Sequence, residues 1–89
     1  MYKIKLAEDA AEFIRGQTQR VQRQILAKIK KLSQDPYPQN SVKLKGTNGL
    51  YRIVSGYYRI IYTVKHKEVT VLVLRIAHRK EVYQNLPEA

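Results

Sequence analysis

The sequence predicts an α+β fold: a small, antiparallel-rich β-sheet built from an N-terminal strand and a C-terminal three-strand meander, with two N-terminal helices packed on one face. Three observations carry this. Apolar and polar residues alternate at the start of the chain and again from Leu50 onward, which is the period of a strand with unlike faces. Between them the apolar residues recur at helical spacing, and turn-forming residues separate the segments. At 89 residues the chain has the size of one domain, residues 1–89, since domains usually run to roughly 100–200 residues. Leu, Ile, Val and Phe supply 25 of the 89 residues, above the roughly one-fifth below which disorder is favoured.

Taken in order, Tyr2, Ile4 and Leu6 alternate with Lys3 and Lys5 as a short strand. Ala10, Ala11 and Ile14 then fall at helical spacing, with Glu8, Asp9 and Glu12 placed early, where the helix dipole favours anions, and Gly16 as a stop. A second helix begins at Thr18, a good N-cap, and Val21, Ile25, Ile29 and Leu32 form its apolar stripe. Arg20, Gln22, Arg23, Lys28, Lys30 and Lys31 make its other face, which reads either as a phosphate contact or as a solvated surface. Asp35-Pro36-Tyr37-Pro38 ends that helix, because proline removes backbone donors and biases its predecessor to extended geometry. A loop through Asn40 and a basic, turn-rich stretch from Lys43 to Gly49 lead to strands over Leu50–Val54, Tyr57–Val64 and Val69–Ala77.

The hairpin between the first two of these strands gives the sharpest expectation. With Ser55-Gly56 as a two-residue loop, Arg52 directly faces Arg59, and an anion between them would relieve the repulsion of two opposed cations. The same register sets Leu74 opposite Arg59 and brings His78 to that face. A longer loop would separate the two arginines into ordinary surface residues. Tyr51, Ile53, Tyr58, Ile60, Tyr62, Val64, Val69, Val71 and Val73 form the face expected to pack on the helices. Leu50, Val54, Ile61, Leu72, Leu74 and Ile76 would lie on the opposite, open face, an apolar surface that calls for a protein partner.

Charge and composition narrow the function. Lys and Arg number 17 against 7 Asp and Glu, a net charge of +10, so a polyanionic partner is favoured, nucleic acid or anionic membrane. Cys is absent, which removes disulfides and thiolate metal sites and fits a reducing cytoplasm. With only His66 and His78 as imidazoles and no carboxylate cluster beside them, neither a metal nor a cofactor is expected. The N-terminus has no signal-peptide core and no stretch is long enough to span a bilayer, so a soluble protein without membrane contact is expected. The run Arg75-Ile76-Ala77-His78-Arg79-Lys80-Glu81-Val82-Tyr83 is the densest reactive patch: His78 suits proton transfer at neutral pH, and Arg79 can grip phosphate bidentately. Such an inventory suits RNA cleavage by the RNA's own 2′-hydroxyl, which needs positioning, proton transfer and charge stabilisation but no protein nucleophile.

Lys43-Leu44-Lys45-Gly46, Leu50-Tyr51-Arg52-Ile53, Gly56-Tyr57-Tyr58-Arg59-Ile60-Ile61-Tyr62 and Val73 through Tyr83 together resemble the RelE branch of the RelE/ParE toxins of type II toxin-antitoxin systems. The resemblance covers nearly the whole chain. It implies a RelE-like fold and a ribosome-dependent endoribonuclease, an mRNA interferase that cuts mRNA in the ribosomal A site by metal-free 2′-hydroxyl transesterification and so stops translation. It implies as partners the ribosome, its mRNA and a cognate RelB-like antitoxin, joined to the toxin in a higher-order hetero-oligomer. By the same resemblance Arg59 grips the scissile phosphate, Arg79 stabilises the transition state with His78 beside it as proton donor, and Tyr83 stacks on or orients the substrate. Arg52 and Lys45 match basic positions of the groove, and Lys43 and Lys80 are further expected RNA or phosphate contacts. Val54 stands where the best-known member has a lysine proposed as general base, which leaves that role to His78 or to the ribosome. Two other readings stay open: the ParE relatives poison DNA gyrase without such a nuclease site, and the same arginines would also serve a module that binds RNA without cutting it.

Overall fold

The computed structural model describes residues 1–87. Its elements are β1 (Lys3–Leu6), α1 (Glu8–Arg15), α2 (Gln19–Gln34), β2 (Val42–Lys43), β3 (Tyr51–Ser55), β4 (Tyr58–Lys65), a single 3₁₀ turn (His66–Glu68) and β5 (Thr70–His78). The five strands form one sheet in the order β1-β5-β4-β3-β2, with β1 parallel to β5 and every other pair antiparallel. The α+β class, the two helices and the meander are thus as expected, and β2 adds a short fifth strand at the edge.

Local chemistry sets the helices. Glu8 and Asp9 occupy the first turn of α1, and Glu8 pairs with Arg15 at 2.7 Å. Both side chains are exposed, so that pair is worth at most about 1 kcal/mol. The Thr18 hydroxyl accepts from the Val21 N–H at 3.3 Å to cap α2. Gln22 Nε2 donates to the Ile14 carbonyl at 2.8 Å and the Gln17 carbonyl at 3.2 Å, satisfying carbonyls left over where α1 ends. Ala10, Ile14, Ile25, Ile29 and Leu32 are buried against Ile53, Ile60, Tyr62, Val71, Val73 and Ile76, which forms the main core on one side of the sheet. Arg20, Arg23, Lys30 and Lys31 are exposed on the far side of α2.

Three features of the sheet differ from the sequence-based expectation. The tight loop is Gly56–Tyr57, so that Ser55 pairs with Tyr58 and Val54 with Arg59. Gly56 has φ +60° while Tyr57 keeps a negative φ, the signature of a type II′ turn, which needs glycine at its first position. A Ser55-Gly56 loop would have put glycine second and forced Ser55 into the left-handed region. Arg52 therefore pairs with Ile61 and sits diagonal to Arg59 on the same face, rather than opposite it.

The second difference is a bulge in β5. Ile61 pairs with Arg75 but Tyr62 pairs with Val73, leaving Leu74 extra. That one residue inverts the alternation beyond it. Ile76 enters the helix-side core instead of the open face, Ala77 rather than Leu74 lies opposite Arg59, and His78 pairs with Tyr58 on the helix side rather than joining Arg59. Val69, expected in the core, is exposed and takes the left-handed conformation (φ 49°) that closes the β4–β5 turn.

The third difference concerns the open face, which the chain covers itself. Leu50, Ile61 and Val82 are fully buried there, with Leu44, Leu74, Ala77 and Leu86 packed around them. Val82 belongs to the turns that follow β5 and Leu86 to the stretch just after them, and burying a side chain such as Val82 contributes about 1.5–3 kcal/mol.

At the end of β4 away from the hairpin, Tyr2, Tyr37, Tyr51 and Tyr62 cluster with His66, their neighbouring ring centroids 4.8–6.1 Å apart. Four of the seven tyrosines are therefore gathered in this one cluster. The buried Tyr62 hydroxyl donates to the Pro36 carbonyl at 2.7 Å, pinning the loop after α2. Burial, followed by the neighbouring Tyr37, Tyr51 and Asp35, outweighs a hydrogen bond with Ser41 and pushes the Tyr62 hydroxyl up to about 12. The folded state thus holds that proton more tightly than the unfolded chain, whose tyrosines ionise near 10. This contribution to stability is complete below pH 10 and is lost as the pH rises through about 12. Denaturant titrations between pH 9 and about 12 should show that loss, and Tyr62→Phe should reduce it while costing about 1 kcal/mol at neutral pH.

Candidate functional site

The residues singled out from the sequence gather in two adjoining groups, at the β3–β4 hairpin tip and on the face covered by the final turns. At the tip, Arg59 folds back so that Nη1 donates to the Gly56 carbonyl at 3.1 Å and the Tyr58 carbonyl at 3.3 Å. Those bonds hold the guanidinium beside the turn and leave its other N–H groups for an anion. The Arg79 backbone N–H donates to the Tyr57 carbonyl at 2.8 Å, which ties the chain leaving β5 to the same tip. The Arg79 guanidinium carbon lies 5.5 Å from the Tyr57 ring centroid, within cation–π range.

His78, the last residue of β5, is held between two rings. Its imidazole stacks on Tyr57 (centroids 6.2 Å, 14° between planes) and meets Tyr58 edge-on at 6.4 Å. Tyr58 is in turn braced edge-on by Phe13 of α1 at 5.5 Å. The Lys80 N–H donates to His78 Nδ1 at 3.3 Å, so the neutral ring carries its proton on Nε2. Arg59 and His78 thus flank the sheet end from opposite faces, with Tyr57 and Arg79 between them at the tip.

On the other face, Arg52 Nη1 donates to the Tyr83 hydroxyl at 3.3 Å, and its Nε is buried with no partner among the described residues. The register brings Tyr83 to Arg52 only because the final turns double back across the sheet. Lys80 is exposed in those turns and Lys45 in the turn after β2. Lys43 pairs with Tyr51, so it belongs to the face opposite Arg52 and does not join this group. Among the described residues no three His, Asp or Glu side chains cluster to hold a metal ion.

Two residues with clear roles here were missed from the sequence. Arg75 reaches from the β5 bulge to the carbonyls of Val82 (3.1 Å), Gln84 and Asn85 (2.7 Å), fastening the final turns over the sheet. No local pattern signals this, because its acceptors are backbone atoms seven to ten residues ahead. Tyr57 reads in the sequence as the start of a strand and as part of the family motif, with no role of its own, yet it is the most exposed aromatic residue among the described residues, at 66%.

The mixed five-strand sheet with two helices on one face is a RelE-like fold, and together with the family match it places the chain among the toxins of the RelE/ParE superfamily. The chain belongs to the family described as ParE toxin of type II toxin-antitoxin system, parDE, whose model matches residues 4–83. Among solved structures it is similar to the archaeal RelE–RelB complex from Pyrococcus horikoshii OT3, at 27% identity over 90% of this chain and 97% of that one, with a TM-score of 0.77. It is also similar to the isolated E. coli RelE toxin, at 29% identity over 93% of this chain and 92% of that one (TM-score 0.77). For the intact E. coli RelBE toxin-antitoxin complex the identity is 27% over 88% and 96%, with a TM-score of 0.76. No curated protein matches the sequence.

The Arg75 clasp yields an expected outcome. Arg75→Ala should free residues 80–85 from the sheet, raising their amide hydrogen exchange by tenfold or more while the β4–β5 amides keep their protection. Exchange unchanged in those turns would show that Val82 alone holds them.

Proposed function

We propose that this type II toxin is a ribosome-dependent endoribonuclease that cleaves mRNA in the ribosomal A site. The observation that supports it is the gathering of Arg59, His78 and Arg79 about the exposed Tyr57 ring at the hairpin tip, Arg59 from one face of the sheet and His78 from the other. In the reaction the 2′-oxygen forms a bond to the adjacent phosphorus as the bond to the 5′-oxygen breaks. The 2′-hydroxyl loses its proton, the departing 5′-oxygen gains one, and the products are a 2′,3′-cyclic phosphate and a 5′-hydroxyl. Arg59, pre-positioned by two hairpin carbonyls, holds the scissile phosphate, and Arg79 meets the charge that builds on its oxygens. His78 presents Nε2–H as a hydrogen-bond donor that steadies the departing oxygen, because its Nδ1 lone pair is engaged by the Lys80 N–H, and the proton that oxygen gains comes from water in the site. With that lone pair engaged and Val54 in the neighbouring position, removal of the 2′-proton falls to the ribosomal environment. Tyr83 and Arg52 orient the codon along the adjoining face, with Lys45 and Lys80 adding phosphate contacts.

Primer extension on a defined mRNA, with ribosomes paused at a known codon and without them, tests this reading. Wild-type protein should cut within the A-site codon only when ribosomes are present, and Arg59→Ala and Arg79→Ala should each slow cleavage roughly 100-fold or more while remaining folded. The ParE description of the family favours one second reading, gyrase poisoning. Folded wild-type protein that leaves mRNA intact but blocks DNA supercoiling by gyrase would establish it instead.

The partner we propose is a RelB-like antitoxin, as in the complexes of the similar structures, assembled with the toxin into a hetero-oligomer in the cytoplasm. Charge favours an acidic segment lying along Arg52 and Arg59, since the chain carries +10. Among the described residues no helix is long and apolar enough to cross a membrane. Affinity purification of the toxin from its native host should recover a small acidic protein, released by salt less readily from wild type than from the Arg52→Ala, Arg59→Ala double variant. Recovery of the toxin alone would argue against such a partner.

A further inference from the structure

Tyr57 has no evident role in holding the fold together. The turn conformation is supplied by Gly56, and to the hydrogen bonding of the tip Tyr57 contributes its backbone carbonyl, which any residue would offer to the Arg79 N–H. Its neighbour Tyr58 does the packing, against Phe13 and His78. A large ring left 66% exposed at a hairpin tip gains little from burial, and such positions usually carry glycine, asparagine or aspartate. Yet the ring is held on one side of the chemistry: His78 stacks on it at 6.2 Å, the Arg79 guanidinium sits 5.5 Å from its centroid, and Arg59 is bonded to the carbonyls of the residues on either side. An oriented, solvent-facing aromatic surface next to two phosphate-gripping cations fits a nucleobase, whose π-face stacks on such a ring while its phosphate is held alongside.

We infer that Tyr57 is a base-stacking, specificity-determining residue of this site, seating the nucleobase attached to the phosphate that Arg59 grips. The inference rests on the ribonuclease reading and deepens it. Stacking is tolerant of base identity but favours the larger purines, so the ring biases which codons are cut rather than restricting cleavage to one. Stacking is a property of the ring and not of the phenol oxygen, so phenylalanine should serve in its place.

The experiment is single-turnover cleavage of ribosome-bound mRNA over a panel of A-site codons, for wild type, Tyr57→Ala, Tyr57→Leu and Tyr57→Phe. In parallel, 2-aminopurine placed in a codon blocked by a 2′-O-methyl group reports stacking by fluorescence quenching. The expected result is a roughly tenfold or greater rise in the half-saturating toxin concentration for the Ala and Leu variants, larger at purine than at pyrimidine codons, with loss of the quench. Rescue of both by Tyr57→Phe, with unfolding midpoints alike in all four proteins, separates stacking from a structural role. Unchanged cleavage, codon pattern and quenching in Tyr57→Ala would overturn the inference while leaving the ribonuclease reading intact. Folded wild type that cuts no codon would overturn the ribonuclease reading, and this inference with it.

Discussion

The single extra residue in β5 governs how this molecule is organised. Below the bulge Val71 and Val73 face the helices, and above it Ile76 and His78 do so, with Arg75 and Ala77 turned to the other side. Were Leu74 paired in regular register instead of bulged, the alternation would run on through it, Ile76 would leave the core, and Arg75 would be buried among the helix contacts with no partner for its charge. The bulge therefore sorts apolar from cationic residues at the sheet end. It also sets the separation of Arg59 and His78, which approach the hairpin tip from opposite faces.

Arg75, freed to the open face, converts an exposed sheet into a second small core. Its guanidinium gathers three backbone carbonyls of the final turns, and those turns lay Val82 over Leu50 and Ile61. The same closure carries Tyr83 to Arg52. One arginine thus acts on both the stability of the outer face and the placement of a candidate RNA contact, so a variant of Arg75 reads out as a change in both. The aromatic cluster around His66 plays the matching part at the opposite end of β4, where it anchors the loop after α2 through Tyr62 and Pro36.

The basic residues divide by function along the same lines. Arg15 is paired on a helix surface, and Arg75 is spent on backbone carbonyls. Arg59 and Arg79 keep donors turned outward at the hairpin, and Arg52 keeps a desolvated Nε beside Tyr83. A net charge of +10 is therefore a poor guide to the site. What distinguishes the candidate residues is the group that orients each, hairpin carbonyls for Arg59, the Tyr57 ring for Arg79 and the Tyr83 hydroxyl for Arg52, and that orientation lowers the cost of gathering cations around a phosphate.

The amino-acid sequence by itself determined the α+β class, the two helices with their caps and stripes, the strands of the meander and the residues that resemble a RelE site. These are set by local physics: side-chain period, N-cap chemistry, proline and glycine. It also placed Arg52 and Arg59 on one face, because shifting the loop by one residue moves the pairing by two and preserves side-chain parity. Only the tertiary structure decided that the two arginines are diagonal, that His78 lies across the sheet from Arg59, that Lys43 faces away, and that the open face is closed by the chain's own last turns. The reason is the same in each case. Glycine's freedom at φ +60° chose between two turns that look alike in sequence, and a one-residue bulge reversed a pattern that parity alone carries forward. The clasp of Arg75 depends on acceptors that exist only once the turns have folded over it.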